Sequence, residues 1–92
     1  MDDDYIAALI LWKVRRRGMN VHMSWADVAR DLSHKQHLGK SGAKRINDVG
    51  NSLLKKSLLI SKSAHYGIQV SLNTTKIDEI KEILRRNNFP VD

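Results

Sequence analysis

Eight polar side chains crowd the stretch from Lys44 to Lys56: Lys44, Arg45, Asn47, Asp48, Asn51, Ser52, Lys55 and Lys56. Their types suit a polyanion that carries directional hydrogen-bonding groups. Lysines are compact charges on long stems, which match phosphate oxygens and displace counterions. Lys44, Lys55 and Lys56 fit that task, as does Lys40 just upstream. Backbone N–H groups near Ser41 and Gly42 could hold another phosphate if a helix begins there. Reading bases needs forked groups. Arg45 can offer two donors to guanine, and Asn47 or Asn51 can pair both edges of adenine. Asp48 could accept from cytosine or simply orient Arg45. Such a base contact is worth about 1–3 kcal/mol of discrimination, whereas most affinity would come from phosphates and weaken with salt. The plain alternative is the solvated side of an amphipathic helix.

Other chemistries find little footing. Gly39-Lys40-Ser41 resembles the end of a phosphate-binding P-loop, but the glycine required five residues earlier is His34, and no strand leads in. Nucleotide hydrolysis is discarded. His34 and His37, with His22 or His65, lack the thiolates or clear carboxylate ligand that a metal site would need. The acids stand at helix starts, where capping explains them. No nucleophile–base constellation stands out, so no enzyme, metal or other cofactor is expected.

The 92 residues suffice for one domain with one core, residues 1–92. The net charge of +6 is unevenly spread. Twelve Lys and Arg face three Asp between Lys13 and Lys62, a local +9, while the remainder carries −3. A basic middle between acidic ends points to one polyanion-facing surface. Arg15, Arg16 and Arg17 form a second basic cluster, suited to a DNA flank or to a solvated helix end. Cysteine is absent, which removes disulfides, thiolate zinc sites and cysteine nucleophiles. The apolar run Tyr5–Trp12 is too short to span a bilayer. Three aspartates precede it, where a secretory signal would carry positive charge. No membrane partner is expected, and an intracellular location is: cytoplasm or nucleoid, or a nucleus in a eukaryote.

These side chains need a scaffold. A first helix is predicted over Asp2–Arg17, with aspartates at its start, arginines at its end and Gly18 as its stop. Because Tyr5–Trp12 is apolar nearly all round, this helix is either central to the fold or shared with a second subunit. A homodimer through residues 2–17, 76–87 or both is the corresponding partner hypothesis. Asn20–Met23 forms a short strand or extended link. Ser24 and Asp27 have capping-box spacing, and Trp25, Val28, Ala29 and Leu32 share one face of a helix over Trp25–Leu32. Ser33–Ser41 is predicted as a loop. In the helix Gly42–Ser57, residues Gly42, Ala43, Val49, Gly50, Leu53, Leu54 and Ser57 gather around Ile46. Lys44, Asp48, Asn51, Ser52 and Lys55 lie opposite, with Arg45, Asn47 and Lys56 on the flanks. Gly50 on the inner edge costs helix stability, which points to close approach by another helix. Strands over Leu58–Ser63 and Gly67–Leu72 enclose an Ala64–Gly67 turn. Asn73, Thr74 and Thr75 offer caps for a last helix over Lys76–Asn87, with Thr75 and Asp78 at capping-box spacing, and Glu82 can pair with Arg86.

The predicted class is α+β, in the order helix, short strand, helix, helix, strand, strand, helix. With W-A-D-V-A-R-D-L (Trp25–Leu32), I-N-D-V-G-N-S-L-L-K-K-S-L-L-I (Ile46–Ile60) and Y-G-I-Q-V-S-L (Tyr66–Leu72), the chain resembles the winged helix-turn-helix superfamily of DNA-binding domains over nearly its whole length. The resemblance implies that helix 42–57 enters the major groove of double-stranded DNA and that hairpin 58–72 braces it as a wing, centred on Lys62, Ser63, His65 and Tyr66. The chain departs from the family in its longer link between the second and third helices; such a loop could hold an extra turn of helix, which would move the start of the recognition helix, or reach DNA through Lys35 and Lys40. The implied role is transcriptional regulation, or replication and maintenance of a genome, plasmid or virus. The rival is a protein-interaction module of the same fold. RNA binding is weaker, because few aromatics are available to stack on bases.

Overall fold

In the computed structural model, residues 2–35, 39–65 and 67–91 are described, with only the backbone described at 35, 39 and 40. Helix α1 (Asp3–Arg17) starts where Asp2 caps it: the Tyr5 N–H donates to Asp2 Oδ1 at 2.8 Å. It stops at Gly18, whose φ of 144° is one that side-chain-bearing residues rarely adopt. The Gly18 N–H donates to the carbonyls of Val14 and Arg15. Strand β1 (Met23–Ser24) follows, then α2 (Trp25–Lys35) and α3 (Gly39–Lys55). Strands β2 (Leu59–Ala64) and β3 (Gly67–Leu72) form a hairpin. A 3-10 turn (Thr74–Lys76) then leads into α4 (Ile77–Arg86). The fold is α+β, with four helices and one antiparallel sheet in the order β1-β3-β2 among the described residues.

Two sequence expectations about the link need correction. The segment 33–41 is not a loop: α2 continues to Lys35 and α3 begins at Gly39, leaving residues 36–38 as the connection. Polar Ser33, His34 and Lys35 extend α2 after its apolar repeat ends at Leu32. The extra helix that the link could hold is thus there, as the end of α2 and the start of α3. The α3 start also moves, so Ser41 and Gly42 lie inside the first turn, with Gly42 buried.

The core forms around α1. Ile6, Ala7, Ala8, Leu9, Ile10, Leu11 and Val14 are all buried, together with Val28 and Leu32 of α2, Ile46, Val49 and Leu53 of α3, and Ile80 and Leu84 of α4. Leu59, Val70 and Leu72 close it from the sheet. The all-round apolarity of Tyr5–Trp12 is thus accounted for within one chain. Among the described residues, the exposed large hydrophobics are Val21, Ile60 and Ile68, none of them on α1 or α4. No helix is long and apolar enough to cross a membrane, among the described residues.

The close approach expected at Gly50 is made by an indole. A Cβ there would sit 2.7 Å from Trp25 Cζ2. The α3 helix ends in a Schellman arrangement, with the Leu58 N–H on the Leu53 carbonyl (3.0 Å) and the Ser57 N–H on Leu54 (3.1 Å). Ser57 occupies the left-handed position at φ 62° and is exposed, so it leaves the buried edge predicted for it. Asn73, not Thr75, organises the start of the last helical segment. Its Oδ1 accepts from the Thr75 N–H (3.2 Å) and hydroxyl (2.7 Å), while its Nδ2 donates to the Ser57 carbonyl (2.7 Å). One side chain thus joins the end of α3 to the approach of α4.

Candidate nucleic-acid interface

Helix α3 is divided cleanly. Gly42, Ile46, Val49, Gly50 and Leu53 are buried, whereas Ser41, Lys44, Arg45, Asn47, Asp48, Asn51, Lys55 and Lys56 are exposed and Ser52 is half-buried. The split follows the 100° step of the sequence pattern. Lys40 lies in the first turn by its backbone. The hairpin that follows exposes Lys62, Ser63 and His65; Tyr66 lies outside the described residues. Lys62 pairs in register with Gln69 of β3.

Inside this set the structure distinguishes partners that sequence spacing does not. Asp48 orients Lys44, not Arg45: Lys44 Nζ lies 3.0 Å from Asp48 Oδ2 across one helical turn. Arg45 reaches the start of α1, where its Nη2 donates to Asp3 Oδ1 at 2.8 Å. Both side chains stay open to water, at 45% and 75% exposure, so the pair is of the weak surface kind. Asn47 is turned toward α2. Its Oδ1 accepts the Trp25 Nε1–H at 2.8 Å, and the same indole fills the notch at Gly50. Asn47 is therefore part of a helix–helix lock, with its Oδ1 engaged by the indole. Among the described residues, Asn51, Lys55 and Lys62 make no hydrogen bond or ion pair.

A second set of charges borders the α1 end of α3. Asp4 accepts from Arg86 Nε at 2.8 Å, from Arg86 Nη2 on its other oxygen, and from Asn87 Nδ2 at 2.8 Å. Chiefly through the Arg86 hydrogen bond, and against the desolvation that burial imposes, the Asp4 carboxyl is lowered from 3.8 to about 2, with Asn87 and the charges of Arg86 and Lys56 adding to the lowering. The Arg86 guanidinium is raised in turn, above all by its hydrogen bond to Asp4. The expected Glu82–Arg86 pair is replaced: Glu82 takes Arg85, three residues on, at 3.0 Å. Nearby, the Phe89 ring lies 5.8 Å from both Tyr5 and Trp12, centroid to centroid.

The expected capping contact at α2 is present, with the Asp27 N–H donating to Ser24 Oγ at 3.4 Å. Of the histidines weighed as ligands, His22, His34 and His65 are exposed and His37 lies outside the described residues. No group of three or more His, Asp or Glu side chains that could hold a metal occurs among the described residues.

Sequence reasoning missed a basic cleft on the far side of β1. Lys13, Arg16 and Arg17 of α1 gather there with His22, with Arg30 of α2 and with Gln69 of β3. The triple arginine at the end of α1 was its only local signal. Compared with known proteins, the chain matches no family model, no curated protein and no solved structure.

Proposed function

We propose that the chain is a winged helix-turn-helix domain that binds double-stranded DNA, with α3 as its recognition helix and β2–β3 as its wing. The observation that carries this reading is the outer edge of α3, where Lys44, Asn51 and Lys55 are exposed with Lys55 and Asn51 uncommitted, running on to the exposed Lys62 of the hairpin. Lysines there meet phosphates, and Asn51 is the amide left to read a base. Arg45 serves once it exchanges Asp3 for a guanine edge or a phosphate; the exposed pair costs little to open. Asn47 keeps α2 and α3 in register instead. The biological role that fits is transcriptional regulation, or replication and maintenance of genetic material.

Binding of labelled random duplex at graded salt tests this. Affinity should fall linearly with log salt, and the combined change Lys44→Ala, Arg45→Ala, Lys55→Ala should abolish it. One observation favours a second reading, a protein-docking module: Ile60 and Ile68 of the hairpin are 45% and 54% exposed. Under that reading the triple change leaves partner binding intact, and duplex binding is absent from the outset.

A further inference from the structure

The cleft beside β1 encloses about 630 Å³ between the end of α1, the strand, α2 and β3. That is the size of a small-molecule site, yet its lining is wrong for an apolar ligand. Among the described residues, Met23 is the one apolar residue lining it, and no Phe, Tyr or Trp does. Its formal charges are Lys13, Arg16, Arg17 and Arg30 against Asp27 and Asp31.

The two acids do not cancel the site; they fix part of it. Asp31 holds Lys13 at 2.9 Å, and Asp27 holds Arg30 at 2.8 Å, with Arg30 Nε also 3.6 Å from Asp31. Two cations are thereby stationed along one wall. Arg16 and Arg17 are exposed and have no hydrogen bond or ion pair among the described residues. A concave surface with two uncommitted guanidinium forks and a surplus of positive charge attracts a compact, multiply charged anion. The planar fork matches the oxygens of a phosphate in two parallel hydrogen bonds. Ser24 and Gln69, paired in register across β1 and β3, add neutral polar groups at the rim.

We propose that this cleft is a phosphate-binding site, taking clustered phosphates either from a free polyphosphate or nucleotide or from the backbone of a duplex flank. With free polyphosphate the site stands apart from the α3 reading; with duplex it rests on that reading and extends it.

The test uses the full chain, two probes and two variants. Inorganic tripolyphosphate is titrated calorimetrically, and random duplex is followed by fluorescence anisotropy at graded salt. The variants are Arg16→Ala with Arg17→Ala, and Lys44→Ala with Lys55→Ala as a control that removes the same charge from α3. For a free-phosphate site, the arginine change weakens tripolyphosphate by about tenfold or more, and the lysine change leaves it unaltered. For a duplex-flank site, tripolyphosphate binds neither protein measurably, and the arginine change lowers the salt slope of duplex binding by about 1.8. The proposal is overturned if the arginine change alters neither probe, or if the lysine change weakens tripolyphosphate equally, since either result leaves only diffuse attraction to a basic protein. Loss of duplex binding through the arginine change alone, with none through the lysine change, would reject the α3 reading and keep the cleft.

Discussion

The start of α1 and the outer edge of α3 are both rich in charge, and they use it in opposite ways. At the α1 start, Asp2 caps its own helix, Asp3 holds Arg45, and Asp4 is gripped by Arg86 and Asn87. Tyr5 and Trp12 hold Phe89 beside them. Every acid there is engaged in joining α1 to itself, to α3 or to the end of α4. Along α3 and the hairpin, Asn51, Lys55 and Lys62 stand exposed with no partner among the described residues. Charge that stabilises a fold finds its partner inside the molecule. Charge left over at the surface either idles in water or serves an outside polyanion, and only binding separates those two fates.

The comparison can be broken first where the two uses meet, at the α2–α3 lock. Trp25→Ala removes the indole from the Gly50 notch and the donor from Asn47. It should cost about 3 kcal/mol of stability, read from urea unfolding. A loss under about 1 kcal/mol would mean the notch closes by itself. Asn73→Ala comes next. Three hydrogen bonds vanish, one to the end of α3 and two within the approach of α4, for an expected loss of about 1.5 kcal/mol by the same measurement.

The Asp4 cluster predicts a pH effect. Because folding lowers the Asp4 carboxyl from 3.8 to about 2, its contribution is complete above about pH 4 and is lost as pH falls toward 2. Asp4→Asn should therefore flatten the acid limb of a stability–pH curve in that window and leave its shape unchanged near neutrality. With Asp4 41% exposed, solvent screening keeps the effect smaller than the shift alone implies. The smallest expected effect belongs to Asp3→Asn. It frees Arg45 of its acidic neighbour while leaving stability within about 0.5 kcal/mol. Duplex binding should rise slightly, by about two- to threefold, as measured by anisotropy; weaker binding would show that Asp3 positions Arg45 and does not restrain it.

The order of elements was legible because it depends on local periodicity. Ile46, Val49, Leu53 and Leu54 keep a helical step, and Val70 and Leu72 alternate with polar neighbours. Gly50 announced a close approach but not its filler, since nothing local says that Trp25 lies across the interface. The helical parts of the link between α2 and α3 were not legible because the apolar repeat stops at Leu32 while the backbone continues to coil through Ser33, His34 and Lys35. The site divided along the same line. Exposure along α3 follows from its 3.6-residue repeat, but Arg45 with Asp3 and Asn47 with Trp25 join residues far apart in sequence. Those pairings depend on helix packing, so the Trp25 partner of Asn47 was not legible from spacing along α3. The basic cleft is likewise assembled from four separate elements, and only its arginine run was visible beforehand.

The central claim is that the outer edge of α3 is directed at a duplex. Its most direct test measures anisotropy of labelled random duplex, over a range of salt, with the wild-type chain and the Lys44→Ala, Arg45→Ala, Lys55→Ala variant, both confirmed folded by circular dichroism. The expected result is wild-type binding whose log affinity falls linearly with log salt, and no binding by the variant. Equal affinity and an equal salt slope for the two proteins would contradict it.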